Sequence, residues 1–295
     1  MVMKTYNDIY IEAKKALKAA AGDGTPEEIN AAASAEARLL LAFAAEKTTS
    51  EFTRDIRLYT TAEYENKAMA LIRRRVGGEP AAYITGGWEF FGLPMIVTPD
   101  VLIPRVDTEV VAEAAISLIR NMEKPRVLDL CAGSGCIGIA VAKNVPNARL
   151  VLADKSAAAL KVARQNTLIN KVSPRSMCVE ADALSEPGPM LSGFDLIVSN
   201  PPYIPAGDIP GLDASVREFE PMMALDGGDD GLVFYRAICE KWKNALAPGG
   251  WLVFECGIGQ SEAVRAIGEA VGLHWVDSVK DTIGVERAII FDLKG

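Results

Sequence analysis

The sequence predicts an α/β protein with a mostly parallel sheet, preceded by a small helical domain and joined to it by a hairpin. Three observations predict it. From Arg126 onward, short apolar runs alternate with stretches of helical periodicity, the pattern of βαβ units. Residues 1–76 carry helix signals only. Between the two lies a stretch of glycine, proline and β-prone aromatics, which interrupts both patterns.

The elements follow in order. Ile9, Ala13, Ala16, Leu17 and Ala20 recur at helical spacing. Thr25-Pro26-Glu27-Glu28 opens a second helix, with Thr25 as cap, Pro26 in the first turn and Glu28 closing a capping box. That helix runs to near Lys47. Ser50 or Thr53 begins another, and Thr60 with Glu63 offers a further capping box before a helix through Met69 and Ile72 to Arg75. Residues 1–76 thus read as a helical bundle, ended by Gly77-Gly78-Glu79-Pro80. Residues 77–106 read as a hairpin connector. Tyr83-Ile84 and Trp88-Glu89-Phe90-Phe91 are β-prone, with Gly86-Gly87, Gly92 and Pro94 between and after them. In the remaining domain, 107–295, a helix runs to about Met122. Strands are expected at 127–130, 150–154, 177–179, 194–198, 251–254 and 288–291, with helices at 137–143 and 157–170.

Composition bounds the function. A chain of 295 residues suits two domains. The formal net charge of -8 argues against duplex DNA or free RNA as the main partner, because such binders draw affinity from basic surfaces. The five cysteines, at 131, 136, 178, 239 and 256, have no CxxC spacing. With no secretion signal at the start of the sequence and no apolar run of about 18 residues, free thiols in a reducing cytoplasm are the simple reading.

Gly133, Gly135 and Gly138 satisfy G-x-G-x-x-G between a strand and a helix. Such a turn lets a backbone approach a nucleotide-like ligand closely. Asp154, ending the next strand, is placed to accept from ribose hydroxyls, and Asp182, after the third strand, from an adenine amino group. The loop alone fits a nicotinamide dehydrogenase as well as a methyltransferase. Asp129 separates them: a carboxylate just before the loop repels a pyrophosphate but suits the cationic sulfonium and amino acid part of S-adenosylmethionine.

Asn200-Pro201-Pro202-Tyr203 follows the strand at 194–198 directly. In a doubly wound sheet that exit faces the ligand crevice. The Asn200 side-chain oxygen and the Pro201 carbonyl are two acceptors for one planar NH₂. Proline fixes the backbone and brings no competing N–H. Tyr203 offers a flat wall to an amide or base. Two acceptors on one nitrogen aim its lone pair at the methyl carbon, so catalysis is mostly positioning. The substrate is read as an amide or amino nitrogen presented by a macromolecule, on a flat amide or a base.

These residues resemble the HemK/PrmC family of peptide chain release factor glutamine methyltransferases over nearly the whole chain. The similarity is carried by Gly78-Glu79-Pro80, Val101-Leu102-Ile103-Pro104-Arg105, Asp107-Thr108-Glu109, Asp195 through Ile204, Glu220-Pro221 and Ala224 through Leu232. It implies a Rossmann-like class I methyltransferase domain and a helical domain that helps hold the release factor. It implies methylation of N5 of the glutamine in a Gly-Gly-Gln tripeptide, with S-adenosylmethionine as cofactor. By residue, it implies Cys131, Ala132, Gly133, Ser134 and Gly135 as the cofactor loop, Asp154 at the ribose, Ala183 beside the adenine, and the tetrapeptide around the glutamine. The family commonly has glycine where Cys131 stands.

Other features read as structural. His274 has no motif around it, and Arg73-Arg74-Arg75 ends a helix, where cations favour the dipole. Gly227-Gly228-Asp229-Asp230-Gly231 lacks the spaced ligands of a calcium loop, so no metal is expected. A cytoplasmic monomer, with no membrane segment and no sequence-specific nucleic-acid contact, completes the expectation.

Overall fold

A computed structural model describes residues 3–22 and 24–294. The chain divides into two compact units, residues 1–86 and 87–295.

The first unit is helical: α1 (Tyr6–Ala20), α2 (Pro26–Ala44), α3 (Thr49–Arg54), α4 (Ala62–Val76) and α5 (Ala81–Thr85). Capping boxes start the first three helices, pairing Thr5 with Asp8, Thr25 with Glu28 and Thr48 with Glu51. Each satisfies N–H groups that a helix start leaves unpaired. Ile9, Ala13, Leu40, Leu41, Phe52 and Ile72 close the core. Three details differ from expectation. Thr48, rather than Ser50 or Thr53, caps α3. Thr61, rather than Thr60, caps α4, because the Thr60 N–H and hydroxyl both donate to the Lys4 carbonyl. Tyr83 and Ile84 are helical, since α5 buries them with Ala81 and Ala82, and burial outweighs their β preference. Of the three arginines, Arg74 makes a two-pronged pair with Glu79 and Arg75 pairs with Glu36.

The second unit opens with a hairpin, β1 (Gly87–Phe90) and β2 (Leu93–Ile96), paired antiparallel. Its two-residue turn holds Phe91 and Gly92 at φ of 53° and 68°, the left-handed pair of a type I′ turn. The Phe91 N–H donates to Glu109 Oε1 at 2.7 Å, which anchors the strained residue.

Next come α6 (Glu109–Ile119), β3 (Arg126–Leu130), α7 (Cys136–Asn144), β4 (Arg149–Asp154), α8 (Ala157–Ile169), β5 (Ser176–Glu180) and β6 (Phe194–Ser199). Short helices α9 (Ala214–Arg217) and α10 (Val233–Ala237) precede β7 (Leu246–Glu255), α11 (Ser261–Ala270), β8 (His274–Lys280) and β9 (Glu286–Asp292). The sheet order is β5-β4-β3-β6-β7-β9-β8. Strands β3 to β7 run parallel, and β9 pairs antiparallel to both β7 and β8. The chain reverses its direction of strand addition between β3 and β6, the place where α/β sheets bind ligands. Side-chain alternation along β3 sends Val127 into one apolar layer and Leu128 and Leu130 into the other.

Candidate active site

The loop after β3 is built by left-handed residues. Cys131, Gly133 and Gly135 have φ of 61°, 53° and 79°. Glycine reaches this region freely, whereas a side chain costs about 1–2 kcal/mol there, so Cys131 is the strained member. The third glycine of the motif serves packing. A Cβ at Gly138 would stand 2.8 Å from side-chain carbons of both Leu150 and Leu152, so only glycine lets α7 lie this close to β4. Below the loop, buried Asn166 exchanges two hydrogen bonds with the Ile96 backbone and donates a third to the Ser134 carbonyl at 2.9 Å. One amide thus ties the hairpin to the glycine loop.

A cavity of about 250 Å³ opens over the carboxyl ends of the central strands. Its floor and one wall come from the loop residues Cys131, Ala132, Gly133 and Ser134, with Asp154, Asp182 and Ala183 beyond them. Asn200 and Pro202 stand at another wall. Two segments complete it. Pro99, Val101, Leu102, Pro104 and Arg105 come from the strap after the hairpin, and Pro221, Met223 and Ala224 from the chain before α10. Phe234 of α10 supplies the aromatic surface.

Glu220 joins these two segments. Its carboxylate accepts from Arg105 Nη2 at 2.5 Å and from the Ile103 N–H at 3.3 Å. The Glu220 side chain is 1% exposed, against 40% for Arg105. Burial pushes the Glu220 pKa up, and the arginine opposes that.

Asp154 accepts from the Gly133 and Ser156 N–H groups, each at 2.8 Å. Its oxygens carry about four lone-pair sites, so two remain for a vicinal diol. Burial raises its pKa, while the backbone donors hold it down. Asp182 lies beside Lys155 at 2.9 Å and accepts from the Leu184 N–H. Burial opposes its charge, but these bonds prevail and its pKa falls below the ordinary value. Ala183 is buried, and its carbonyl accepts from the Trp242 indole at 3.1 Å.

Asn200 leaves β6 half-buried. Among the described residues, no hydrogen bond engages its side-chain amide or the Pro201 carbonyl. Both acceptors on which the sequence argument rests are therefore uncommitted.

Two expected residues face elsewhere. Asp129 is 1% exposed and outside the cavity wall. Strand alternation turns it to the same side as Val127, where it accepts the Gly138 N–H at 2.8 Å in the first turn of α7. Burial pushes its pKa up to about 8. It holds the loop and the helix start together rather than facing a ligand. Tyr203 is also absent from the cavity wall. Its hydroxyl donates toward Glu255 Oε1 at 3.4 Å and its carbonyl accepts from Gln260 Nε2 at 2.9 Å. Gly135 and Pro201 are not among the lining residues either; Gly135, at a φ of 79°, shapes the turn.

Sequence reasoning passed over Glu220, Phe234, Glu255 and Gln260 as site residues. Only Glu220 stood in a segment with a family signal. The others are brought near by the fold, with no motif of their own.

The distant features behave as structural. His274 Nδ1 lies 3.1 Å from Asp292, on the antiparallel edge of the sheet. Among the described residues, no group of three acidic, histidine or cysteine side chains could hold a metal ion, and no helix is long and apolar enough to cross a membrane.

Comparison with known proteins agrees with this layout. Residues 8–86 match the PrmC N-terminal domain and residues 108–210 the Methyltransferase small domain. A release factor glutamine methyltransferase of Geobacter sulfurreducens is 44% identical over 74% of this chain and 75% of its own. One of Bradyrhizobium diazoefficiens is 41% identical over 79% and 78%, and one of Moorella thermoacetica 38% identical over 86% and 89%. With both family domains present in order and similarity of this extent, the chain belongs to the release factor glutamine methyltransferases, a family of S-adenosylmethionine-dependent enzymes.

Proposed function

We propose that this chain transfers a methyl group from S-adenosylmethionine to the side-chain N5 of the glutamine in the Gly-Gly-Gln tripeptide of class 1 peptide chain release factors. The observation that carries the reading is the pair of uncommitted acceptors, the Asn200 amide oxygen and the Pro201 carbonyl, beside a cavity that fits the cofactor. The fit rests on Asp154, with two acceptor sites left for ribose hydroxyls, and on the apolar surfaces of Leu102, Ile137, Ala159 and Phe234 for a purine. The wall offers no unpaired cation to a pyrophosphate, since Lys155 pairs with Asp182 and Arg105 with Glu220.

When bound, the cofactor supplies an electrophilic methyl on a cationic sulfur. The chain's residues do the rest by placement. Asn200 and Pro201 accept the two N–H bonds of the glutamine amide and turn its nitrogen lone pair out of conjugation. The nitrogen so held would be the acceptor of that methyl, and its surplus proton would leave to water. No strong base is required, and positioning of this kind is worth several powers of ten in rate.

The assignment of Asn200, Pro201 and Pro202 to the glutamine belongs to this proposal, while Tyr203 faces away from the cavity. The assignment of Cys131, Ala132, Gly133, Ser134, Gly135, Asp154, Asp182 and Ala183 to the cofactor belongs to it too. The helical bundle, 1–76, contacts the release factor, the 77–106 connector joins it, and 107–295 performs the transfer. The protein works as a monomer in the cytoplasm and reads no nucleic-acid sequence. The test is transfer of radiolabelled methyl to purified release factor, with DNA and ribosomal RNA as parallel acceptors. Label on the release factor alone is expected. Label on nucleic acid alone points instead to an adenine or guanine N-methyltransferase using the same tetrapeptide.

A further inference from the structure

The tetrapeptide's last residue has turned from the cavity and is gripped from behind. Gln260 Nε2 donates to the Tyr203 carbonyl at 2.9 Å and lies 3.5 Å from the Gly231 carbonyl. The same side chain's Oε1 accepts the Gly257 N–H at 2.9 Å, which fixes the direction in which its amide donates. At the other end of Tyr203, the phenol hydroxyl reaches Glu255 Oε1 at 3.4 Å. Glu255 is 2% exposed, and burial pushes its pKa up to about 7, opposed by the neighbouring Thr108 hydroxyl and the Arg287 charge. The packing is equally close. A Cβ at Gly257 would stand 3.1 Å from Tyr203 Cδ2 and 2.7 Å from Gln260 Oε1, and one at Gly231 would run into the Tyr203 carbonyl.

We infer that Glu255 at the end of β7 and Gln260 at the start of α11 form a clamp that positions the catalytic tetrapeptide by holding Tyr203 at its hydroxyl and its carbonyl. Neither side chain lines the cavity, and the hydrogen bonds that both make to Tyr203 tie them to the tetrapeptide from behind. Both are positioning residues. Tyr203 is two residues from Pro201, whose carbonyl is one of the two acceptors, and rigid proline peptides link them. A shift of Tyr203 is therefore transmitted to the acceptor pair. Misplacement of such a pair by about 1 Å is enough to cost about 100-fold in rate.

The inference rests on the proposed methyl transfer, and the test keeps the two apart. Three full-length variants are compared with the parent chain: Gln260→Met, which fills the space without donating, Glu255→Leu, and Glu255→Gln, which still accepts from the phenol. The kcat and the KM for S-adenosylmethionine are measured on whichever substrate the parent methylates, and cofactor affinity is measured separately by calorimetry. Gln260→Met and Glu255→Leu are expected to lower kcat by about tenfold or more, with cofactor affinity within about threefold. Glu255→Gln is expected to keep kcat within about threefold. Unchanged kcat in both Gln260→Met and Glu255→Leu overturns the clamp. So does a fall in cofactor affinity that accounts for the whole loss. A parent chain that labels only nucleic acid overturns the function instead, and the same ratios still judge the clamp.

Discussion

Glu220 offers the sharpest perturbation of the cofactor cavity, because one carboxylate holds two of its walls together. Glu220→Ala removes the acceptor of the Ile103 N–H and the partner of Arg105. Leaving a buried N–H without an acceptor costs about 1–3 kcal/mol. The Arg105 side chain is 40% exposed, so water replaces much of that pairing and its loss is set at only about 0.5–1 kcal/mol. The strap after the hairpin should therefore dock about 1.5–4 kcal/mol less tightly. Each 1.4 kcal/mol is about a factor of ten in affinity. Coupling of about half of that free energy to ligand binding gives an expected 4- to 30-fold weaker binding of S-adenosylmethionine, read by calorimetry. Glu220→Gln keeps one acceptor oxygen, enough for the Ile103 N–H, and is expected to lose only about two- to fivefold. A folded Glu220→Ala protein that binds cofactor within twofold of the parent would refute the idea that this carboxylate holds the cavity closed.

Three further outcomes follow from the geometry. Asn200→Ala removes an uncommitted acceptor and should lower kcat by about 100-fold or more with cofactor affinity nearly unchanged; a loss confined to KM for the cofactor would count against its role at the amide. Gly138→Ala forces a methyl against Leu150 and Leu152 and should destabilise the second unit by about 1–3 kcal/mol, seen as a lower Tm. Asp129, pushed up to about 8 by burial, binds its proton more tightly in the folded chain than in the unfolded one. Its contribution to stability is therefore complete at acid pH and is lost as pH rises from about 4 toward 8, by no more than about 1.4 kcal/mol per pH step of one. Asp129→Asn should flatten that part of the stability profile, measured by urea unfolding across the range; an unchanged slope would mean the carboxyl does not titrate there.

The features legible in the sequence were those fixed by local chemistry. Thr25 and Glu28 announced α2 because a capping box is contained in four residues. The glycine loop and the tetrapeptide were legible because each sits at a strand end, and a strand end of a parallel sheet faces the crevice. What stayed hidden depended on facing and on distant partners. Asp129 and Tyr203 were identified as to type but not as to direction, since a single position along β3, or one bond at Glu255, decides which way each points. Strand β8 went unread because its residues alternate weakly and none of them is buried. The start of β7 was hidden by Pro248, Gly249 and Gly250, which the strand accommodates before its buried run. Tyr83 and Ile84 took the helical form that burial in the bundle favours over local preference.

On the proposed function, two free acceptors at the end of β6 hold a glutamine amide. Mass spectrometry of the release factor after incubation with this protein and S-adenosylmethionine tests it most directly. One added methyl group on the glutamine of the Gly-Gly-Gln tripeptide, lost with Asn200→Ala, is the predicted result. An unmodified tripeptide under conditions where the parent chain binds the cofactor would contradict it.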